Sequence, residues 1–335
     1  MILLALGCVP AIAAPALQDD LGRHFEVSTP ARRVVALAPH LAELMFDIGA
    51  GTALVASVRG ADWPPAVAAL PRVGDAAGID VERVLALRPD LVLAWGSGNR
   101  PADIARLQAL GLRVFVNEPR TLSDVARTLR RLGRLTGSTH AGEASARRYE
   151  ARLAQSRRDA RDAAAVFVQI WDRPLMTVNG AHLVSQALRH CGSRNVFASL
   201  PALAGSVSRE EVLAAAPDTL LVLAPPGRAS EWISAWARFA HLRRRTIALD
   251  PDLLTRATPR LLQGVEALCG ALAGSRTDPA HRPSASEAGA APAAALPQDR
   301  PARPRRRAVR AVLTRALLRL PGPCATGRRC RLRAG

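Results

Sequence analysis

The segment DVERVLALRPDLVLAW, Asp80 to Trp95, is written a second time as SREEVLAAAPDTLLVL from Ser208, 128 positions later. Glu82 aligns with Glu210, Val84 with Val212, Leu85 with Leu213, Pro89 with Pro217 and Asp90 with Asp218. Each copy reads as a short helix, a proline break and a continuous apolar run. Such a run suits a strand buried on both faces of a parallel sheet. A chain that repeats this unit at so long an interval is constrained to two lobes of one architecture.

The surrounding residues extend the pattern. RVVALA (33–38) is an apolar run broken by Pro39-His40, followed by the helical spacing of LAELMFDIGAG (41–51) and the run LVASV (54–58). VERVLALR (81–88) is a helix with Asp80 as its N-cap, and LVLAW (91–95) is a strand. PADIARLQALG (101–111) is a helix and RVFVN (113–117) a strand; TLSDVARTLRRLGRLTG (121–137) is an amphipathic helix ending at Gly137. The alternation resumes with AVFVQI (165–170), VSQALRHCG (184–192), EEVLAAA (210–216), TLLVLA (219–224) and RTIALD (245–250). ATPRLLQGVEALCGALAG (257–274) closes it, with Pro259 near the first turn and Gly274 at the end. Between the lobes, THAGEASARRYEARLAQSRRDARDAA (139–164) has no proline and one early glycine. It reads as one helix of about 24 residues, roughly 36 Å long, able to act as a strut.

The expected fold class is α/β, with two Rossmann-like lobes built on parallel sheets and joined by one long backbone helix. The expected boundaries are a signal peptide over 1–14, an N-terminal lobe over 32–137, a connecting helix over 138–164, a C-terminal lobe over 165–274 and a disordered Arg/Pro/Ala-rich tail over 275–335. MILLALGCVPAIAAPA is an apolar run ending in small residues, which places the chain in the periplasm after export, although a positive start is lacking. Of the five cysteines, Cys8 falls in that signal and Cys324 and Cys330 in the tail. Cys191 and Cys269 remain, either as a disulfide or as two buried thiols; export favours the disulfide.

The net charge of +18 first suggests nucleic acid. Its distribution argues otherwise: from Arg276 onward 14 arginines face three acids, so most of the excess sits in the tail. No nucleic-acid partner is expected of the lobes. G-x-S-x-G, H-E-x-x-H, C-x-x-C and P-loop motifs are all absent from the sequence, so neither an enzyme nor an ATPase is expected.

The stretches RVVALAPHLAELMFDIGA, DWPPAV, GIDVERVLALRPDLVLAWGSGN, GLRVF, HCGSRNVF, VSREEVLAAAPDTLLV and DLLTRATPRLLQGVEALCGAL resemble one known family. They are similar to the periplasmic vitamin B12-binding proteins of ABC importers, within the helical-backbone class of substrate-binding proteins. The resemblance runs from about Arg32 to Leu272. It implies a monomer that takes cobalamin or a related corrinoid in the cleft between lobes and delivers it to a permease dimer. Haem or an iron-siderophore is the alternative cargo; no resident cofactor is implied.

By the same resemblance, Glu82 and Glu210 dock onto permease arginines, one acid per lobe, and Cys191 pairs with Cys269. Each Glu also suits its helix N-terminus electrostatically, which alone would account for it. Trp95, Asp252 and Arg256 match cleft-facing loop positions, and Phe197 matches a ring lining the site. Asp252 and Arg256 also suit a simple i,i+4 ion pair, and Phe197 a core position. Two tryptophans that wall the corrin in better-known members fall on Ala76 and Ala204, and a tyrosine falls on Gly60. Trp63, beside Pro64-Pro65, keeps one aromatic nearby. His40 and His182 each follow the first strand of a lobe, where a neutral imidazole can ligate cobalt or iron or simply cap a turn. No dedicated metal site is expected, because no third ligand stands in register with them.

Overall fold

The computed structural model describes residues 17–75, 77–158, 163–239, 242 and 245–274. The signal segment 1–14, Ala76, the tail 275–335 and Cys8, Cys324 and Cys330 lie outside the described residues.

Strands β1 (Val34–Ala36), β2 (Leu54–Ala56), β3 (Leu91–Trp95) and β4 (Val114–Asn117) form a parallel sheet in the order β2-β1-β3-β4. Strands β5 (Ala165–Gln169), β6 (Arg194–Asn195), β7 (Thr219–Val222) and β8 (Thr246–Ala248) form a second one in the equivalent order β6-β5-β7-β8. The expected α/β class with two parallel-sheet lobes is therefore what the chain adopts. Side chains alternate across both sheets as a buried strand requires. Val34, Leu91 and Leu93 face one core cluster, while Val35, Val92 and Ala94 face another. In the second lobe Val166 and Val168 join the first of these clusters, and Phe167 faces a third. One apolar core thus runs through the inner faces of both lobes.

The helices are α1 (Pro39–Asp47), α2 (Val81–Ala86), α3 (Pro101–Ala109), α4 (Asp124–Thr136), α5 (Thr139–Ser156), α6 (Leu183–His190), α7 (Arg209–Ala214), α8 (Ala229–Ser234), α9 (Asp252–Thr255) and α10 (Leu261–Gly274). The connecting helix α5 has 18 residues and stops at Ser156, short of the expected 164. Its C-cap Arg157 is already extended, because the chain must turn to enter β5, and Arg158 N–H donates to His190 O at 3.0 Å. At about 27 Å it still spans a small domain. Helices α4 and α5 meet at glycines: a Cβ on Gly142 would lie 2.7 Å from the Leu129 carbonyl. Cys191, at the end of α6, and Cys269, in α10, form the disulfide and close 78 positions of chain within the second lobe.

The repeat persists at the level of single bonds. Asp80 and Ser208 are the two N-caps, accepting from Arg83 N and Glu211 N. Arg88 and Ala216 both take positive φ, at 47° and 42°, just before the matched prolines. Asp90 then accepts from Arg32 N and Arg33 N at the start of β1, and Asp218 from Ala165 N at the start of β5. The Pro-Asp dipeptide is therefore the device that ties the third strand of each lobe to its first.

Candidate functional site

In an open α/β sheet, ligands bind beyond the carboxyl ends of the strands where the strand order reverses. In the N-terminal lobe that point lies between β1 and β3. Pro39 opens α1 directly after β1 and puts His40 in its first turn. Trp95 ends β3. Their rings meet edge to face, 5.2 Å between centroids. Asn99 locks this corner: its Oδ1 accepts from Trp95 N at 2.7 Å, and its Nδ2 donates to Leu37 O at 2.8 Å. Gly98 is required here, because a Cβ would lie 1.9 Å from the Trp95 ring.

A small, partly open cleft lies at this point. The first lobe lines it with His40, Trp95, Ser97, Glu118, Pro119 and Arg120; the second adds Ala181, His182, Leu183, Leu203, Thr255 and Ala257. Glu118, Pro119 and Arg120 follow β4 immediately, so the strand-end rule applied to RVFVN would have found them. The second-lobe wall rests on an antiparallel pairing of Met176–Val178 with Ala204–Ser206, too short to show in sequence periodicity. His182 therefore lies beyond Met176–Val178, as N-cap of α6, and not directly after the lobe's first strand.

Both imidazoles are held neutral. Burial pushes His40 down to about 4, opposed by its bond to Asn117 and aided by the Arg256 charge. Burial, then the nearby Arg120 charge, brings His182 to about 4 as well. His40 Nε2 lies 3.3 Å from Asn117 Oδ1. The Asn117 amide donates to Asp20 Oδ2 at 3.1 Å and to Thr128 Oγ1 at 2.9 Å, so its oxygen faces His40. Among the described residues no group of three or more His, Cys, Asp or Glu is placed to hold a metal ion.

The other expected ligand-site residues are placed differently. Phe197 packs edge to face on Phe167, 5.7 Å between centroids, in the outer core of the second lobe and away from the cleft lining. Arg256 is taken up by acids of both lobes: Glu43 at 2.8 Å, Asp62 at 2.7 Å and Asp252 at 2.7 Å. Asp252 and Arg256 thus form the i,i+4 pair, which widens into a clasp across the lobes. Arg260 reaches Glu43 at 3.5 Å and lies over the half-exposed Trp63 ring, 4.4 Å from its centroid. Sequence reasoning missed Glu43 because it sits among the apolar residues of LAELMF and carries no motif. Glu82 and Glu210 stand exposed at the starts of α2 and α7; Glu82 pairs with the exposed Arg106 at 2.6 Å.

The periplasmic binding protein family matches residues 34–236 of this chain. The chain belongs to that family. A vitamin B12-binding protein of Photorhabdus laumondii subsp. laumondii is 33% identical over 241 residues, which cover 71% of this chain and 86% of that protein. Among solved structures, the periplasmic vitamin B12-binding protein of Vibrio cholerae aligns with a TM-score of 0.69 at 30% identity, covering 74% of this chain and 99% of its own. A periplasmic heme-binding protein from Roseiflexus sp. RS-1 aligns with a TM-score of 0.65 at 25% identity, covering 73% and 99%. Periplasmic binding proteins are solute-binding components of transport, and the two-lobed fold seen here is theirs.

Proposed function

We propose that this periplasmic binding protein captures cobalamin or a related corrinoid in the cleft between its lobes and delivers it to an ABC transporter permease. The observation that carries the reading is the cleft at the strand ends, lined by Trp95, His40 and His182, in a chain 30–33% identical to vitamin B12-binding proteins. Trp95 supplies an apolar face for a macrocycle, and the two imidazoles and Arg120 supply polar contacts at its edge. Trp63, Asp252 and Arg256 stand at the rim and hold the lobes together there, while Phe197 supports the second lobe from its core. Glu82 and Glu210, one per lobe at equivalent positions, form a symmetric handle for a permease dimer. The working form is a periplasmic monomer, exported by residues 1–14, with lobes over 32–137 and 165–274.

Haem is the second reading. The positions expected to hold corrin-walling rings include Ala204 and Gly60, and a heme-binding relative shares the fold. Parallel visible-spectrum and calorimetric titrations with cyanocobalamin and hemin separate the two. Saturable cyanocobalamin binding at micromolar concentration is the expected result; binding of hemin alone transfers the function to haem.

A further inference from the structure

His182 caps α6 through its ring. Its Nδ1 accepts from Val184 N–H at 3.2 Å. A neutral imidazole carries one N–H, and the nitrogen that accepts a hydrogen bond is the one without it. The proton of His182 therefore sits on Nε2. That nitrogen has no hydrogen-bond partner among the described residues, and its residue lines the cleft. Metal ligation needs a free lone pair. The lone pair of His182 is spent on its helix, and Nε2 offers a proton instead.

We infer that His182 serves the ligand as a hydrogen-bond donor that fixes its orientation, and not as an axial ligand to its metal. The inference rests on the cleft reading above and deepens it. Arg120, half exposed on the facing lobe, pairs with Glu118 at 3.0 Å through one guanidinium nitrogen and lines the same cleft close enough for its charge to act on His182, leaving its other N–H groups for a ligand. Two donors thus converge from opposite lobes. They suit an oxygen-bearing arm at the edge of a tetrapyrrole: an amide carbonyl, a carboxylate or a phosphate oxygen. His40 has a different bonding state. Its Nε2–H is given to Asn117, whose own amide is fixed by Asp20 and Thr128, and Thr128 Oγ1 in turn donates to Asp124 O at 2.9 Å. Of these two imidazoles, His40 is the one whose lone pair, on Nδ1, has no hydrogen-bond partner among the described residues.

Two substitutions separate capping, donation and ligation. His182→Asn keeps an oxygen to cap Val184 and an amide N–H to donate; His182→Asp keeps the cap and loses the donor. Both are expected to melt near the wild type. In cyanocobalamin and hemin titrations, Asn is expected to hold affinity within about threefold and Asp to weaken it by about tenfold, the effect of one unmade hydrogen bond. The bound ligand's visible bands are expected to be unchanged in the Asn variant. Equal affinity in both variants would reduce His182 to a helix cap and overturn the inference. Loss in both, with a shift in the visible bands of bound hydroxocobalamin or hemin, would make it an axial ligand and overturn it equally. Nitrogen-15 NMR of the imidazole in ligand-free protein reports the tautomer independently. A proton on Nε2 is expected, and a proton on Nδ1 contradicts the inference even if the wild type binds neither tetrapyrrole, an outcome that would instead defeat the cleft reading.

Discussion

Arg256 of the second lobe bonds Glu43 of the first at 2.8 Å, and Glu43 is only 2% exposed. Thr258 Oγ1 adds a bond to the same carboxylate at 3.1 Å. A buried carboxylate stripped of its partner is costly, by about 3–5 kcal/mol, because its charge stays desolvated. Arg256→Ala is therefore expected to lower unfolding free energy by about 3 kcal/mol at pH 7, since Arg260 keeps part of the compensation. Adding Glu43→Gln is expected to recover much of that loss. Urea denaturation of the two variants measures it; a single substitution that changes nothing would show that the clasp does not hold the lobes.

His40 makes stability depend on pH. Its folded pKa of about 4 lies below the ordinary value of 6.5, so the unfolded chain binds the proton more readily. Stability from this group is full above pH 6.5 and falls as pH drops from 6.5 through 4, by up to about 3 kcal/mol. His182 shifts in the same direction. His40→Gln is expected to flatten the decline between pH 6.5 and 4.5 in urea midpoints, relative to the wild type. Parallel slopes for the two proteins would contradict the buried, neutral assignment.

The matched acids test delivery separately from capture. Glu82→Ala and Glu210→Ala remove exposed charges that touch neither the cleft nor the core. Together they are expected to abolish corrinoid-dependent uptake in cells while ligand affinity and urea midpoint stay unchanged. Lost affinity in the double variant would refute the docking role.

Much of this architecture was legible because a parallel strand buried on both faces leaves an unbroken apolar run. LVLAW and TLLVLA became β3 and β7 almost residue for residue. The equivalence of Glu82 with Glu210 was also legible, since the repeat carries its own register through Pro-Asp. The pairing of Met176–Val178 with Ala204–Ser206 was not, because a three-residue ribbon has no measurable period. Helix α5 outran its true end for a related reason: AQSRRDARDAA contains good helix formers, and only the tertiary demand to enter β5 stops it at Ser156. The helical start at Pro39-His40 was not legible, because proline breaks a strand and is equally suited to the first turn of a helix. The site was harder to read than the fold. The resemblance puts Arg256 and Asp252 at the ligand, but Arg256 instead pairs with a buried acid 213 positions away, and such a long-range pairing leaves no local mark.

On the proposed function, the corrinoid sits between the lobes against Trp95. Calorimetric titration of cyanocobalamin into the wild type and into Trp95→Ala tests it most directly. The wild type is expected to bind saturably, and the variant to bind at least about tenfold more weakly, in keeping with the loss of a large aromatic contact. Equal affinities in the two proteins would place the ligand elsewhere and contradict the account.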